Sequence, residues 1–278
     1  MKNRKLICAV LIVVCLVIFV GYRIVDKAAT DSASPEISIS GELQLSVLDE
    51  KEAMLTGVSA TDNKDGDVTG SLVIEGVKVL DSDGTVSITY AAFDSAGNVA
   101  KAERIAQYTD YVSPRFTLRA PLVFSSSNFD VLSIVGAEDL FDGDIKHRVR
   151  VNPLEDMSSA TVGEHEVQFR VSNSLGDTSE LILPVEVIAA GKYNANLTLK
   201  SYIVYLPVGA DFNEKSYLNE FICYGDAVSL NGGVPTGYRF ITEGRVDTET
   251  PGVYTVSYEV TYNQVYTGYS KLIVVVEG

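Results

Sequence analysis

Tryptophan is absent from this 278-residue chain, and cysteine nearly so. Cys8 and Cys15 lie in an N-terminal apolar run, and Cys223 stands alone in the remainder. No cysteine pair can staple a domain, so each domain must be held by its packed core. The spacings C-x-x-C and H-E-x-x-H are missing, which removes the common zinc sites. The two histidines, His147 and His165, each sit in a charged, strand-like stretch that favours a solvated surface role. No G-x-S-x-G, Walker A, Rossmann or catalytic Cys/His pattern occurs. The expectation is a protein that is not an enzyme. Basic residues are also scarce, 22 against 37 acidic, for a net charge of −15. Beyond residue 27 the balance is 17 basic to 36 acidic residues. That acidity is repelled by phosphate backbones and excludes nucleic acid as a partner.

The one long hydrophobic run is at the N-terminus. Met1-Lys-Asn-Arg-Lys5 is basic, and Leu6 to Tyr22 follows without a charge. As a helix, those 17 residues reach about 26 Å, the short end of a membrane span. Arg23 can snorkel at its far side. Residues 1–27 therefore read as a signal-anchor transmembrane segment, with the N-terminus cytoplasmic and everything after it extracellular. A cleaved signal peptide is the competing reading, but Lys27 and Asp26 stand where small residues belong before Ala29 and Ala28. Residues 28–35 form a small-residue polar linker.

What fills the rest is repetition. Ala60-Thr-Asp62-Asn-Lys-Asp65-Gly66-Asp67-Val68 returns 77 residues later as Ala137-Glu-Asp139-Leu-Phe-Asp142-Gly143-Asp144-Ile145. A second frame follows each copy. Gly84-x-x-x-Ile88-x-Tyr90 leads to Asp94-x-x-Gly97-Asn98, and Gly163-x-x-x-Val167-x-Phe169 leads to Asn173-x-x-Gly176-Asp177. A repeat of this size means an array of small domains. Repeat 1 spans 36–111, repeat 2 spans 112–190, and a divergent repeat 3 spans 191–278. Repeat 3 lacks the aspartate frame but keeps Gly252-Val-Tyr254-Thr-Val256-Ser-Tyr258. Short alternating strands, Gly/Asp turns and little helix signal predict an all-β fold of tandem antiparallel β-sandwiches. A short helical turn is expected between Phe212 and Phe221. Tyr90, Phe169 and Tyr258 share one register and are the expected core aromatics.

These frames resemble the bacterial immunoglobulin-like repeats of surface proteins, the group labelled Big_3 or DUF5011 and related to HYR-type repeats. The likeness rests on Ala60 through Thr69, Tyr90 through Ala100, and Val246 through Tyr258. It implies an Ig-like, extracellular, non-catalytic module used as a spacer or in adhesion. It names no ligand, since function is not carried by fold.

Two groups stand out as candidate sites. Asp62, Asp65 and Asp67, with their copies Asp139, Asp142 and Asp144, could hold Ca²⁺, although their spacing is not an EF-hand's. The plainer reading is a turn in which Asp side chains cap backbone N–H groups. No other cofactor is implied. Eleven of the fifteen tyrosines fall from Tyr193 onward. Tyr262, Tyr266 and Tyr269, near the last hairpin, could form a recognition patch at its tip.

The combined expectation is a membrane-anchored stalk of Ig-like domains outside the cell. Repeat 3 would contact a cell-wall polymer or a surface protein. The alternatives are a structural envelope subunit that pairs laterally with other membrane proteins, and a cleaved, secreted adhesin.

Overall fold

The computed structural model describes residues 11–22, 31–125, 130–153 and 161–278. Residues 11–22 are helical, and all twelve are exposed. The expected span from Leu6 lies partly outside the described residues, as do Arg23 and the first three residues of the linker. Among the described residues no helix is long and apolar enough to cross a membrane. By contacts the chain divides into two units, Met1–Tyr111 and Val112–Gly278.

Unit 1 contains repeat 1. Its strands are β1 (Glu36–Ile39), β2 (Gln44–Leu45), β3 (Val58–Asp62), β4 (Gly66–Asp67), β5 (Val73–Val79), β6 (Thr85–Phe93) and β7 (Val99–Tyr108). They form a three-stranded sheet, β1-β3-β4, and a four-stranded sheet, β2-β7-β6-β5. The pairings are antiparallel except for β2, which runs parallel to β7. Period-2 alternation decides which face is buried. Val86, Ile88 and Tyr90 point inward along β6 and are fully buried.

Unit 2 contains repeats 2 and 3, each with the same plan. Repeat 2 has β8 (Arg115–Leu118), β9 (Val123–Ser125), β10 (Val135–Asp139), β11 (Gly143–Asp144), β12 (Arg150–Pro153), β13 (Gly163–Ser172) and β14 (Thr178–Ile188). Its sheets are β11-β10-β8 and β12-β13-β14-β9, with β9 parallel to β14. Repeat 3 has β15 (Asn196–Leu199), β16 (Ile203–Pro207), β17 (Leu218–Cys223), β18 (Asp226–Ser229), β19 (Tyr238–Glu243), β20 (Gly252–Tyr262) and β21 (Tyr266–Glu277). Its sheets are β15-β17-β18 and β16-β21-β20-β19, with β16 parallel to β21. Each repeat is thus a three-on-four β-sandwich of Ig-like type. The turn expected between Phe212 and Phe221 is shorter than that interval. A 3-10 helix covers Glu214–Tyr217, and β17 begins at Leu218.

The core aromatics take equivalent seats. Tyr90, Phe169 and Tyr258 are each 0% exposed. The two tyrosines donate their hydroxyls to backbone carbonyls, Tyr90 to Met54 at 2.7 Å and Tyr258 to Glu214 at 2.9 Å. Both acceptors lie on 3-10 helices that bridge the sheets. A buried hydroxyl needs such a partner, and phenylalanine in repeat 2 avoids the requirement.

The core of repeat 2 extends onto repeat 3. Ile203, Ile273 and Val275 of repeat 3 join one buried cluster with Phe116, Leu122, Val167, Phe169, Leu183 and Val185 of repeat 2. The opposite face of β21 supplies Leu272, Val274 and Val276 to the repeat 3 core. Strand β21 is therefore covered on both faces, which is why Leu272-Ile-Val-Val-Val276 is an unbroken apolar run rather than an alternating one.

Candidate functional site

The two repeated frames interlock. Asp62 ends β3, and its Oδ1 accepts the backbone N–H groups of Lys64 and Asp65 at 2.8 and 2.9 Å. Asp139 does the same at the end of β10 with Phe141 and Asp142. Asp67 and Asp144 accept from the amides of Thr69 and Lys146, each at 2.9 Å. These bonds start the 3-10 turns Thr69–Ser71 and Lys146–Arg148. Gly66 and Gly143 take φ of +75° and +67°, which a side chain disfavours. The middle aspartate reaches the second frame. Asp65 accepts from Ser95 N and Oγ at 2.6 and 2.9 Å, and Asp142 from Ser174 N and Oγ at 2.6 and 2.7 Å. The two frames recur together because one hydrogen-bonds the other. Ser95 and Ser174 occupy equivalent positions, but their importance shows only when the loops are brought together.

Hydrogen bonding sets the charge on these carboxyls. The N–H groups of Asp65 and Lys64 hold Asp62 below the ordinary aspartate value. The hydroxyl and amide of Thr69 do the same for Asp67. Burial pushes Asp142 up, but hydrogen bonds from Ser174 and the Arg148 guanidinium at 2.5 Å outweigh it.

The structure does not gather Asp62, Asp65 and Asp67 around one point. Among the described residues, the group whose carboxylate oxygens converge is Asp31, Asp62 and Asp94, with one atom from each lying within 4.8 Å of the others. Asp62 is 8% and Asp94 9% exposed. Asp94 accepts from Asn98 N at 2.7 Å and Asn98 Nδ2 at 2.6 Å. Asn98 Nδ2 also donates to the Asp31 carbonyl at 3.3 Å. One oxygen, Asp62 Oδ2, is buried without a hydrogen-bond partner. In repeat 2 the corresponding oxygen, Asp139 Oδ2, accepts from Asn173 Nδ2 at 3.1 Å.

The three tyrosines expected at one tip lie on two faces. Tyr262 and Tyr266 are cross-strand partners on the inner side of the last hairpin. Tyr262 stacks on Tyr238 at 4.6 Å, and Tyr266 meets Tyr224 edge-on at 4.8 Å with their hydroxyls 2.6 Å apart. Tyr224 is 82% exposed, with φ of +54° in the tight β17–β18 turn. The hydrogen bond with Tyr224 raises the Tyr266 hydroxyl above its ordinary value. Odd parity turns Tyr269 to the other side, toward repeat 2. There it stacks on Tyr193 at 4.9 Å and donates to Glu186 at 2.6 Å. It belongs to the joint between the repeats. Beside the hairpin, Tyr238, Arg239, Glu259, Thr261, Asn263 and Gln264 line an open groove of about 920 Å³.

The joint carries a charged clamp as well. Lys271 is 3% exposed, and its Nζ lies 2.6 Å from Glu164 and 3.4 Å from Glu186. Tyr205 Oη accepts from Phe116 N at 2.8 Å and donates to Phe116 O at 3.2 Å. Arg115 pairs with Glu277 across the same boundary.

No protein-family model matches the chain. It is 31% identical over 112 residues to an uncharacterized 81.3 kDa protein of Acholeplasma phage L2, covering 40% of this chain and 14% of that protein. It is 29% identical over 142 residues to the pesticidal crystal protein Cry22Aa of Bacillus thuringiensis, covering 49% of this chain and 19% of that protein. The chain therefore spans less than a fifth of the length of these curated relatives. Among solved structures it is similar to Drosophila N-cadherin EC1-4, at 11% identity and TM-score 0.22, covering 89% of this chain and 68% of that one. It is also similar to mouse cadherin-23 EC22-24, at 12% identity and TM-score 0.22, covering 88% and 99%. A third likeness is to the M60 catalytic domain with CBM51-1 and CBM51-2 from Clostridium perfringens ZmpB, at 14% identity and TM-score 0.22, covering 88% and 31%.

Proposed function

We propose that this chain is a membrane-anchored extracellular protein. Its Ig-like repeats would serve as spacers and present a recognition surface at the last hairpin of repeat 3. The observation that carries the reading is the open polar groove at this hairpin, lined by Tyr238, the one member of the tyrosine cluster that borders it. The Tyr238 ring with guanidinium, amide and carboxylate groups beside it suits a polyhydroxylated chain. The partner is a cell-wall polymer, with a surface protein as the second class. The uncharged run Leu6–Tyr22 is the anchor, supported by the full exposure of its described helical part. The basic start keeps the N-terminus in the cytoplasm and the repeats outside. No catalysis is assigned.

The test is co-sedimentation of the full chain, in detergent, with purified cell-wall sacculi. A truncation at residue 190 would strip a face of the shared core, so point variants are the better probe. Tyr224→Ala and Arg239→Ala change exposed or groove-lining side chains and should each weaken pelleting about tenfold at unchanged circular dichroism. Unchanged pelleting by both variants would remove the hairpin surface from the account. No pelleting by the parent chain would turn the reading to lateral association with other envelope proteins.

A further inference from the structure

Repeats 1 and 2 build the same loop pair with an amide and a carboxylate exchanged, Asp94 and Asn98 standing where repeat 2 has Asn173 and Asp177, and that exchange leaves one buried carboxylate oxygen unpaired. In repeat 2 the second frame begins with Asn173, whose amide donates to Asp139 Oδ2. In repeat 1 the equivalent residue is Asp94, which as a carboxylate has nothing to donate. Asp62 Oδ2 is left buried and without a partner. A third carboxylate, Asp31, lies against this pair. Asp31 stands five residues before β1. The residue five before β8 is Asp110, and its carboxylate is engaged elsewhere, by Ser46 Oγ at 2.6 Å and Val47 N at 2.9 Å. Repeat 2 therefore has a closed hydrogen-bonded loop where repeat 1 has three converging carboxylates.

We propose that Asp31, Asp62 and Asp94 form a binding site for a hard divalent cation, Ca²⁺ by preference, that is particular to repeat 1. All-oxygen, multiply anionic surroundings are what Ca²⁺ selects, and its loose geometry tolerates ligands drawn from a linker and two loops. The cation takes the place at Asp62 Oδ2 that the Asn173 amide fills at Asp139 Oδ2 in repeat 2. The backbone amides of Asp65 and Lys64 keep Asp62 ionised and ready to ligate. The site would fasten the segment before β1 to both repeated loops of the domain. Calcium would thus fix the connection between repeat 1 and the N-terminal region, a mechanical role independent of any ligand at repeat 3. With three carboxylates drawn from the protein, an affinity of about 10⁻⁴–10⁻³ M is expected, in the range of extracellular calcium modules.

The experiment is calorimetric titration and thermal melting of the EDTA-stripped full chain in detergent, with CaCl₂ and MgCl₂ as the probes. Calcium at 10 mM should bind and raise the melting temperature of unit 1 by about 6–20 °C, with a smaller effect of magnesium. Asp94→Asn copies repeat 2. It should fold, supply the missing donor to Asp62, and weaken calcium binding at least tenfold. Asp31→Asn alters a side chain outside every strand, so it keeps the fold even if residue 94 proves sensitive, and it should also weaken binding. Two results would overturn the proposal. One is a parent melt that is the same in calcium and in EDTA with no heat of binding. The other is a calcium response retained in both variants.

Discussion

Replacing Ile273 with alanine should destabilise repeat 2, although Ile273 belongs to repeat 3. The side chain is 1% exposed and lies on the face of β21 that joins the repeat 2 core. Removing three carbons forfeits about 2.4 kcal/mol of transfer free energy at about 0.8 kcal/mol per carbon. The cavity left in a cluster walled by rigid strands raises this to about 3–4 kcal/mol. With an m-value of about 2 kcal/mol/M for a unit of this size, the urea midpoint should fall by about 1.5–2 M. The assay is urea unfolding followed by amide exchange, resolved by strand. Amides of β13 and β14 should lose protection together with those of β20 and β21, while β6 and β7 of unit 1 should not change. If β13 and β14 kept their protection while β20 and β21 lost theirs, the shared core would be an adjacency without cooperativity.

Other perturbations test the remaining links. Lys271→Met keeps the buried stem but strands two carboxylates. It should cost about 2 kcal/mol in the same unfolding assay, less than a fully buried pair because Glu164 can turn to water. Tyr90→Ala should cost about 3–5 kcal/mol, whereas Tyr90→Phe should cost about 1 kcal/mol for the lost bond to Met54; no loss in Tyr90→Phe would deny the hydroxyl its role. Asp67, Asp83 and Asp110, held low by hydrogen bonds from Thr69, Thr85 and Ser46, favour the folded state above their ordinary value near 3.8. Their contribution is lost as pH falls below that value, so urea midpoints should be flat from about pH 7 to 5 and drop below about 4. A midpoint that rises on acidification past pH 4 would show that relief of net repulsion outweighs these bonds.

The sequence carried the strand plan well because burial on one face writes a period of two into it. Tyr90, Phe169 and Tyr258 were legible as core from spacing alone, and Gly66 and Gly143 marked turns that need positive φ. Ser95 and Ser174 were not legible as partners of Asp65 and Asp142, since they lie 30 and 32 residues away and nothing local demands them. Asp31 was equally silent, a linker residue whose place depends on how the chain enters β1. The run Leu272–Val276 announced burial but could not say that its second covering was another repeat. That covering also moved Tyr269, which parity separates from Tyr262 and Tyr266, out of the expected patch and into the joint.

Repeat architecture explains how a calcium site could arise here at small cost to the fold. The backbone of the paired loops is fixed by Asp65–Ser95 and Asp142–Ser174, bonds that do not involve the residue at positions 94 and 173. That position is therefore free to carry an amide or a carboxylate without altering the turn, because both side chains accept the amide four residues on, Asn98 or Asp177. What changes is the other end of the side chain. The amide nitrogen of Asn173 closes a network, while the second oxygen of Asp94 leaves one open. A scaffold that holds two copies of one loop in common geometry thereby separates the structural function of the frame from its capacity to bind an ion. The Asp94→Asn variant puts that separation to the test within a single chain.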